Sequence, residues 1–184
     1  MSEKKPSVSV IGLGRLGYPL AACFVSKGYD VIGVASNPWT VQTLNDGILP
    51  IHEPGLQDLL LRSKASFKAV LDIKQAVIES DISVVVVPPP SGPDGIFSNR
   101  HVLDVCDSIG NGLSKKSSHH TIALASTVMP GSTGGEIQRR LEKASGRIAG
   151  DNFGLCYVPA FVALGSVVRD FLNPDYVLIG ECDR

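Results

Sequence analysis

The stretch VSVIGLGRLG, residues 8–17, joins a run of β-prone apolar residues to three glycines spaced G-x-G-x-x-G. The apolar run predicts a buried strand, and the periodic residues 16–26 that follow the turn predict a helix. Here Gly12 permits a tight turn, Gly14 lets a pyrophosphate approach the backbone, and Gly17 lets the helix pack close to the strand. We therefore predict a dinucleotide-binding loop; the alternative is a glycine-rich turn needed only for packing.

Outward from this loop, strand-like and helix-like segments alternate along the whole chain without a linker or a low-complexity segment. This alternation predicts an α/β fold, a Rossmann-like doubly wound parallel β-sheet with helices on both faces, in a single dinucleotide-binding domain over residues 1–184. The predicted strands are residues 7–11, 30–34, 82–87, 121–125, 153–158 and 176–179. The predicted helices are residues 16–26, 38–44, 57–62, 73–79, 99–113 and 131–143.

Composition narrows the class of protein. Of the 184 residues 43% are hydrophobic and 19% charged, and the net charge is −1, which argues against a disordered chain and against a nucleic-acid partner. No apolar run reaches the roughly 18 residues of a membrane span, and the N-terminus does not resemble a signal peptide. The four scattered cysteines predict reduced, mostly buried thiols and a cytoplasmic location, and no metal site is expected. The four cysteines are Cys23, Cys106, Cys156 and Cys182.

The end of the second predicted strand, VIGVASN at residues 31–37, departs from the expected pattern. This position normally carries an acid that holds the adenosine ribose of a dinucleotide, and here it is Ala35. Ser36 and Asn37 could donate to a 2′-phosphate, with Arg15 in the same neighbourhood, but no arginine follows the strand. We rank weakened NAD binding first, NADP second and no dinucleotide third.

Five segments, in order along the chain, carry a family resemblance. VIGLGRLGYPLA (10–21), LNDGILPIHEPGL (44–56), VPPP (87–90), ASTVMPGST (125–133) and VRDFLNPDYVLIG (168–180) resemble the N-terminal part of the UDP-glucose/GDP-mannose 6-dehydrogenases. Those enzymes oxidise a nucleotide sugar to its uronic acid with NAD. They continue through a connecting helix into a second domain, which carries the nucleophilic cysteine and the catalytic lysine. The resemblance therefore implies that the substrate domain is absent from this chain.

The resemblance also assigns roles to individual residues. Thr127 matches a threonine that assists at the reacting sugar carbon, and Ser126 matches a serine that touches the cofactor. A hydroxyl pair that caps the next helix is the alternative for both. Phe161 and Val162 are the implied substrate-binding residues. The implied cofactor-binding set is Gly12, Leu13, Gly14, Arg15, Leu16, Gly17, Ala35, Ser36, Asn37, Thr40, Pro88, Pro89, Pro90, Ser126 and Thr127.

Several family residues with chemical roles are replaced. Ala35 stands at the position of the family's ribose-binding acid, and Thr40 stands at that of a basic residue five positions later. Pro89 replaces the threonine of the family's V-P-T-P turn. In VPAFVALG (158–165), the two glutamates of the family's N-P-E-F-L-x-E-G have become Ala160 and Leu164. The first glutamate is the family's acid/base group, and a methyl group cannot transfer a proton.

Two hypotheses follow. In the first, the chain is the NAD-binding domain of a nucleotide-sugar 6-dehydrogenase, such as one acting on UDP-glucose, and cannot turn over without a second domain. In the second, it is a catalytically silent relative that serves as a nucleotide or nucleotide-sugar binding module or as a partner scaffold. Enzymatic activity is therefore an open question, and a homodimer is an open alternative.

Three aromatic or polar sites receive weaker predictions. His119 and His120 lie in a polar stretch and are expected in a solvated loop rather than at a metal. His52 and Glu53 either border the nicotinamide end of the site or lie on the surface. Trp39 is expected to cover the adenine side or to pack against the second helix.

Overall fold

The computed structural model describes residues 5–63, 67–89 and 98–181. Within these ranges, seven strands form one sheet in the order β3-β2-β1-β4-β5-β6-β7. All neighbouring pairs are parallel except β6 and β7. The strands are β1 Val8–Ile11, β2 Val31–Val34, β3 Phe67–Val70, β4 Ile82–Val85, β5 Thr121–Leu124, β6 Gly154–Tyr157 and β7 Gly180–Glu181. The predicted doubly wound α/β fold is confirmed, with an antiparallel last strand that was not predicted.

Helices cover both faces of this sheet. They are α1 Gly17–Ser26, α2 Pro38–Asn45, α3 Leu56–Ser63, α4 Ile73–Glu79, α5 Arg100–Leu113, α6 Gln138–Ser145 and α7 Val167–Leu172. One hydrophobic core joins Val10 and Val84 of the sheet to Leu20, Leu56 and Val168 of the helices α1, α3 and α7. The opposite core joins the sheet to α4, α5 and α6. Neighbouring strand residues enter opposite cores because side chains alternate across a sheet.

The observed helices and strands differ from the predicted ones at several places. Residues 176–179 were predicted as a strand but carry no strand, and only the next two residues pair with β6. Both β3 and α7 were missed. The segment of β3 is only partly buried and includes the exposed Lys68, so it lacks the apolar run of a central strand. Helix α7 has six residues, too few to show a helical period.

The helix predicted at residues 131–143 begins later and less regularly. A π-helical turn at Thr133–Ile137 precedes α6, and Gly135 has non-helical backbone angles (φ −102°, ψ −107°). A glycine tolerates such a conformation because it has no Cβ. No helix in the described ranges is long and apolar enough to cross a membrane.

Candidate functional site

A cleft of about 340 Å³ opens at the carboxyl ends of β1, β2 and β4. Chain connections leave β1 and β4 in opposite directions, so the cleft lies where the strand order reverses, which is where open α/β sheets bind ligands. It brings together eight of the predicted cofactor-binding residues: Gly12, Leu13, Gly14, Ala35, Ser36, Asn37, Thr40 and Pro88. Its lining residues carry no ionisable side chain.

The glycine loop meets the geometric demands of a phosphate cradle. Gly12 has φ +106°, and a Cβ there would lie 2.1 Å from the carbonyl oxygen of Val86. A Cβ at Gly17 would lie 1.9 Å from the carbonyl oxygen of Gly12, so the turn and the first residue of α1 touch backbone to backbone. A Cβ at Gly14 would meet no atom within 4 Å. The fold therefore requires Gly12 and Gly17, while the space above Gly14 is open to a ligand.

The wall at the end of β2 is built from uncharged groups. Ala35 is buried, and its amide donates to the carbonyl of Val70 at 3.1 Å. The Asn37 side chain caps α2, because its Oδ1 accepts from the amide of Trp39 at 2.9 Å. Ser36 and Asn37 are exposed, and Thr40 is half-buried. This wall can hydrogen-bond a ribose through hydroxyl and amide groups but offers it no carboxylate.

The other predicted cofactor residues that the structure describes do not line this cleft. Arg15 is exposed, Leu16 packs against the first core, and Gly17 makes the backbone contact described above. Pro89 is half-buried and Thr127 exposed, both outside the cleft lining, and Pro90 lies outside the described residues.

Ser126 has a structural connection that was not predicted. Its hydroxyl accepts from the amide of Val87 at 2.9 Å and donates to the carbonyl of Val85 at 3.2 Å. The side chain is buried and joins the end of β4 to the end of β5. The helix-capping alternative for Ser126 is therefore wrong, since its hydroxyl bonds the neighbouring strand, and this bonding supports the cleft wall indirectly.

Seven residues that line the cleft were not predicted: Ile11, Val34, Leu71, Ile73, Val86, Val87 and Val105. Leu71 and Ile73 follow the unpredicted β3, and Val105 projects from α5. The apolar residues directly after the FKAV segment were the signal that could have located Leu71 and Ile73.

A second, apolar groove of about 280 Å³ lies on the face of the sheet that α1 covers only in part. Side chains of β4 and β5, including Val84 and Ala123, form its floor. Ala160 and the predicted substrate residues Phe161 and Val162 line it, and the ring of Phe161 lies 4.9 Å from that of Tyr176. The predicted substrate residues are thus separate from the glycine-loop cleft.

The prediction for His120 is wrong. His120 is fully buried rather than solvated: its Nε2 lies 2.9 Å from Ser83 Oγ, and its Nδ1 lies 3.1 Å from the Ser80 carbonyl. Burial lowers the pKa of His120 to about 4, so the ring is neutral. Only His119 is exposed as predicted.

Glu53, expected at the nicotinamide end or on the surface, is buried. Its two carboxylate oxygens accept from the amides of Gly165 and Val167 at 3.0 and 2.7 Å. The neighbouring His52 is exposed. Trp39 belongs to the second helix itself and is 63% exposed.

The cysteines behave as core thiols. Cys23 and Cys106 are free and buried, as predicted, and burial raises the pKa of each thiol to about 12. Cys156 is half-buried, with its Sγ donating to the carbonyl of Ile122 at 3.7 Å, and Cys182 lies outside the described residues. Within the described ranges, no group of three or more His, Cys, Asp or Glu side chains could hold a metal ion.

Comparison with known proteins agrees with this geometry. Residues 6–184 match the profile of the UDP-glucose/GDP-mannose dehydrogenase family, NAD binding domain. Over 179 residues the chain is 34% identical to a GDP-mannose 6-dehydrogenase of Pseudomonas aeruginosa and 36% identical to a UDP-glucose 6-dehydrogenase of Haloferax volcanii. Each alignment covers 96% of this chain and 41% of the relative, so the chain spans about two fifths of their length.

Solved structures show the same relationship. The crystal structure of a ternary complex of GDP-mannose dehydrogenase from Pseudomonas aeruginosa superposes with a TM-score of 0.92 over 96% of this chain and 41% of that one, at 34% identity. A UDP-glucose dehydrogenase from Pyrobaculum islandicum gives a TM-score of 0.91 at 32% identity, over 98% of this chain and 42% of that one.

Proposed function

The chain belongs to the UDP-glucose/GDP-mannose dehydrogenase family, as its N-terminal NAD-binding domain, and from this premise we propose that it binds NAD(H) for a nucleotide-sugar 6-dehydrogenase whose chemistry needs a second domain. The observation that carries the proposal is the open space above Gly14 beside a turn that only glycine can make at Gly12. When bound, NAD supplies the hydride acceptor for oxidation of an alcohol. The residues of this chain would bind and orient it.

Individual residues would hold different parts of the cofactor. Backbone amides around Gly12 and Gly14 would donate to the pyrophosphate, because backbone donors do not depend on side chains. Ser36 and Asn37 would contact the adenosine ribose, and the apolar Leu71 and Ile73 would face the adenine. The loss of an acid at Ala35 removes a charge-assisted hydrogen bond of about 1.5–3 kcal/mol, so we expect weak binding.

Binding of NADH to the purified chain tests the proposal directly. Calorimetry or NADH fluorescence should detect weak binding, and Gly14→Val should reduce the affinity at least tenfold, because the branched side chain occupies the volume of the phosphate. Since nothing lies within 4 Å of a Cβ at Gly14, the variant should still fold. Gly180→Val, in the edge strand β7, is the matched control and should bind as the wild type does. Equal binding by Gly14→Val and wild type would overturn the proposal.

The apolar groove supports a role within a larger protein. Phe161, Tyr176 and Val177, which line the groove, are each more than half exposed, and apolar patches of this kind mark surfaces that another segment covers. The relatives are more than twice as long as this chain. We propose that the groove packs against a further domain of the same polypeptide.

The second candidate function is a catalytically silent binding module. It is favoured by Ala160, which stands where the family's acid/base glutamate is expected and cannot transfer a proton, and by Leu164, which replaces the family's second glutamate, at the cofactor. Titration with UDP-glucose and GDP-mannose separates the candidates. Binding of either sugar by this chain alone would favour the module, whereas NADH binding without sugar binding would favour the dehydrogenase domain. On either hypothesis, we expect no sugar-dependent NADH formation by the isolated chain.

A further inference from the structure

The adenosine end of the glycine-loop cleft contains no charged side chain. Its wall is made of Ala35, Ser36, Asn37 and Thr40, with the apolar Leu71 and Ile73 among the other lining residues. Asp72, the acid between the lining residues Leu71 and Ile73, does not line the cleft. Its carboxylate caps α4 by accepting from the amide of Gln75 at 3.2 Å. In the described part of the chain, the cleft therefore has neither the acid that selects a free ribose nor an arginine that selects a phosphorylated one.

An acid at the position of Ala35 would affect the selectivity between NAD and NADP in two ways. A carboxylate at the end of β2 holds both ribose hydroxyls and so strengthens NAD binding by about tenfold or more. The same carboxylate repels the dianionic 2′-phosphate of NADP. Ala35 removes both effects, so NAD is bound less tightly and NADP is repelled less. The difference in affinity between the two cofactors therefore becomes smaller.

The groups that remain are able to serve either ribose. The Oδ1 of Asn37 is held by the amide of Trp39, which leaves its Nδ2 protons as donors. The exposed hydroxyl of Ser36 can donate to a phosphate oxygen or accept from a ribose hydroxyl. Neither group carries a charge, so neither favours a phosphate strongly.

We propose that this cleft accepts a 2′-phosphorylated adenosine ribose about as well as a free one, so that the domain binds NADPH and NADH with similar affinity. This inference rests on the proposed function of the cleft and adds the determinant of its cofactor selectivity. Ala35 is the specificity-determining residue, because its uncharged side chain neither favours a free ribose nor repels a 2′-phosphate.

Parallel titrations with NADH and NADPH, followed by cofactor fluorescence at constant ionic strength, test the inference. The wild type should bind the two with dissociation constants within about fivefold. Ala35→Asp should shift the ratio at least tenfold toward NADH by strengthening NADH and weakening NADPH. Ala35→Asn is the matched control: it has nearly the same shape without the charge, and the ratio should stay within fivefold. Ser36→Arg, at an exposed position, should shift the ratio toward NADPH and serves if Ala35→Asp fails to fold.

The outcomes separate this inference from the proposed function. A wild type that prefers either cofactor more than twentyfold, with Gly14→Val abolishing its binding, would overturn the selectivity inference and leave the NAD-binding proposal standing. Binding of neither cofactor would overturn both. Equal shifts in Ala35→Asp and Ala35→Asn would show that shape, not charge, sets the ratio, and would also reject the inference.

Discussion

The three glycines of the first loop illustrate how residues of one type serve different ends. Gly12 and Gly17 are required by contacts of the backbone with itself, since a Cβ at either would lie about 2 Å from a carbonyl oxygen. Gly14 makes no such contact and faces open space. Under the proposed function, stability and ligand binding thus depend on different glycines only a few residues apart.

This separation gives a prediction for two alanine substitutions. Gly17→Ala should lower the free energy of unfolding by about 2–3 kcal/mol, because α1 must move away from the turn. Gly14→Ala should change it by less than about 0.5 kcal/mol and should instead weaken NADH binding. Urea denaturation and NADH titration of both variants measure the two effects. A Gly14→Ala variant that loses as much stability as Gly17→Ala would contradict the assignment.

At the scale of elements, Glu53 holds two distant segments together. Its carboxylate binds the amides of Gly165 and Val167, at and just before the start of α7, and residues 53 and 167 are 114 positions apart. Helix α7 packs on α1, where Phe171 meets Phe24 with ring centroids 5.5 Å apart. A six-residue helix is unstable alone, so α7 depends on this clamp and on its packing.

Glu53→Gln tests the clamp with little change of shape. The amide has one acceptor oxygen instead of two, so one backbone N–H loses its partner, and we expect a loss of about 1–3 kcal/mol in unfolding free energy. Glu79→Gln is the control, since Glu79 pairs with Lys68 on the surface and should contribute less than about 1 kcal/mol. Hydrogen exchange should show faster opening of α7 in Glu53→Gln alone. Unchanged exchange there would argue against the clamp.

In the molecule as a whole, the two ends of the sheet have different chemistry. The carboxyl end holds the glycine-loop cleft, whereas the amino end holds a buried polar network across β1, β4 and β5. Ser9 Oγ lies 2.7 Å from Ser83 Oγ, which lies 2.9 Å from His120 Nε2, and Lys116 donates to the Ser80 carbonyl. Burial first, and then the charge of Lys116, lower the pKa of His120, against smaller opposing effects of the Ser80 carbonyl and Asp81.

This network makes stability depend on mild acid. Because the folded pKa of His120 is about 4 and its unfolded value is 6.5, its contribution is complete above pH 6.5 and is lost as the pH falls toward 4. The loss amounts to about 3 kcal/mol. His120→Asn should flatten this part of the pH profile of unfolding free energy, while the exposed control His119→Asn should retain it. Identical profiles for His120→Asn and wild type would refute the role of His120.

The apolar groove gives a second prediction for the whole molecule. An uncovered patch should bind a hydrophobic dye and favour self-association at high concentration. Replacing Phe161 and Val177, which are 53% and 66% exposed, with serine should lower both effects without changing NADH binding. Dye fluorescence and sedimentation velocity measure them. Loss of NADH binding in this double variant would show that the groove and the cleft are not independent.

The sequence by itself determined the parts of this protein that depend on near neighbours in the chain. The turn at Gly12 and the alternation of strands with helices repeat over a few residues, and the predicted sheet followed from them. The eight predicted residues that line one cleft were implied by the family resemblance. The uncharged wall at Ala35 was also evident, because the end of a strand can be located from the strand itself.

Only the tertiary structure decided the roles of polar residues whose partners are distant. Glu53, His120 and Ser126 have side chains that suit a surface equally well, and they are buried because residues 114, 37 and 41 positions away supply their hydrogen bonds. The residues at 176–179 have the composition of a strand, yet in the described chain β6 ends at Tyr157, opposite Gly180, so no residue of β6 faces them. The physical reason is that burial and pairing are properties of the assembled sheet, whereas turn geometry and periodicity are properties of the local chain.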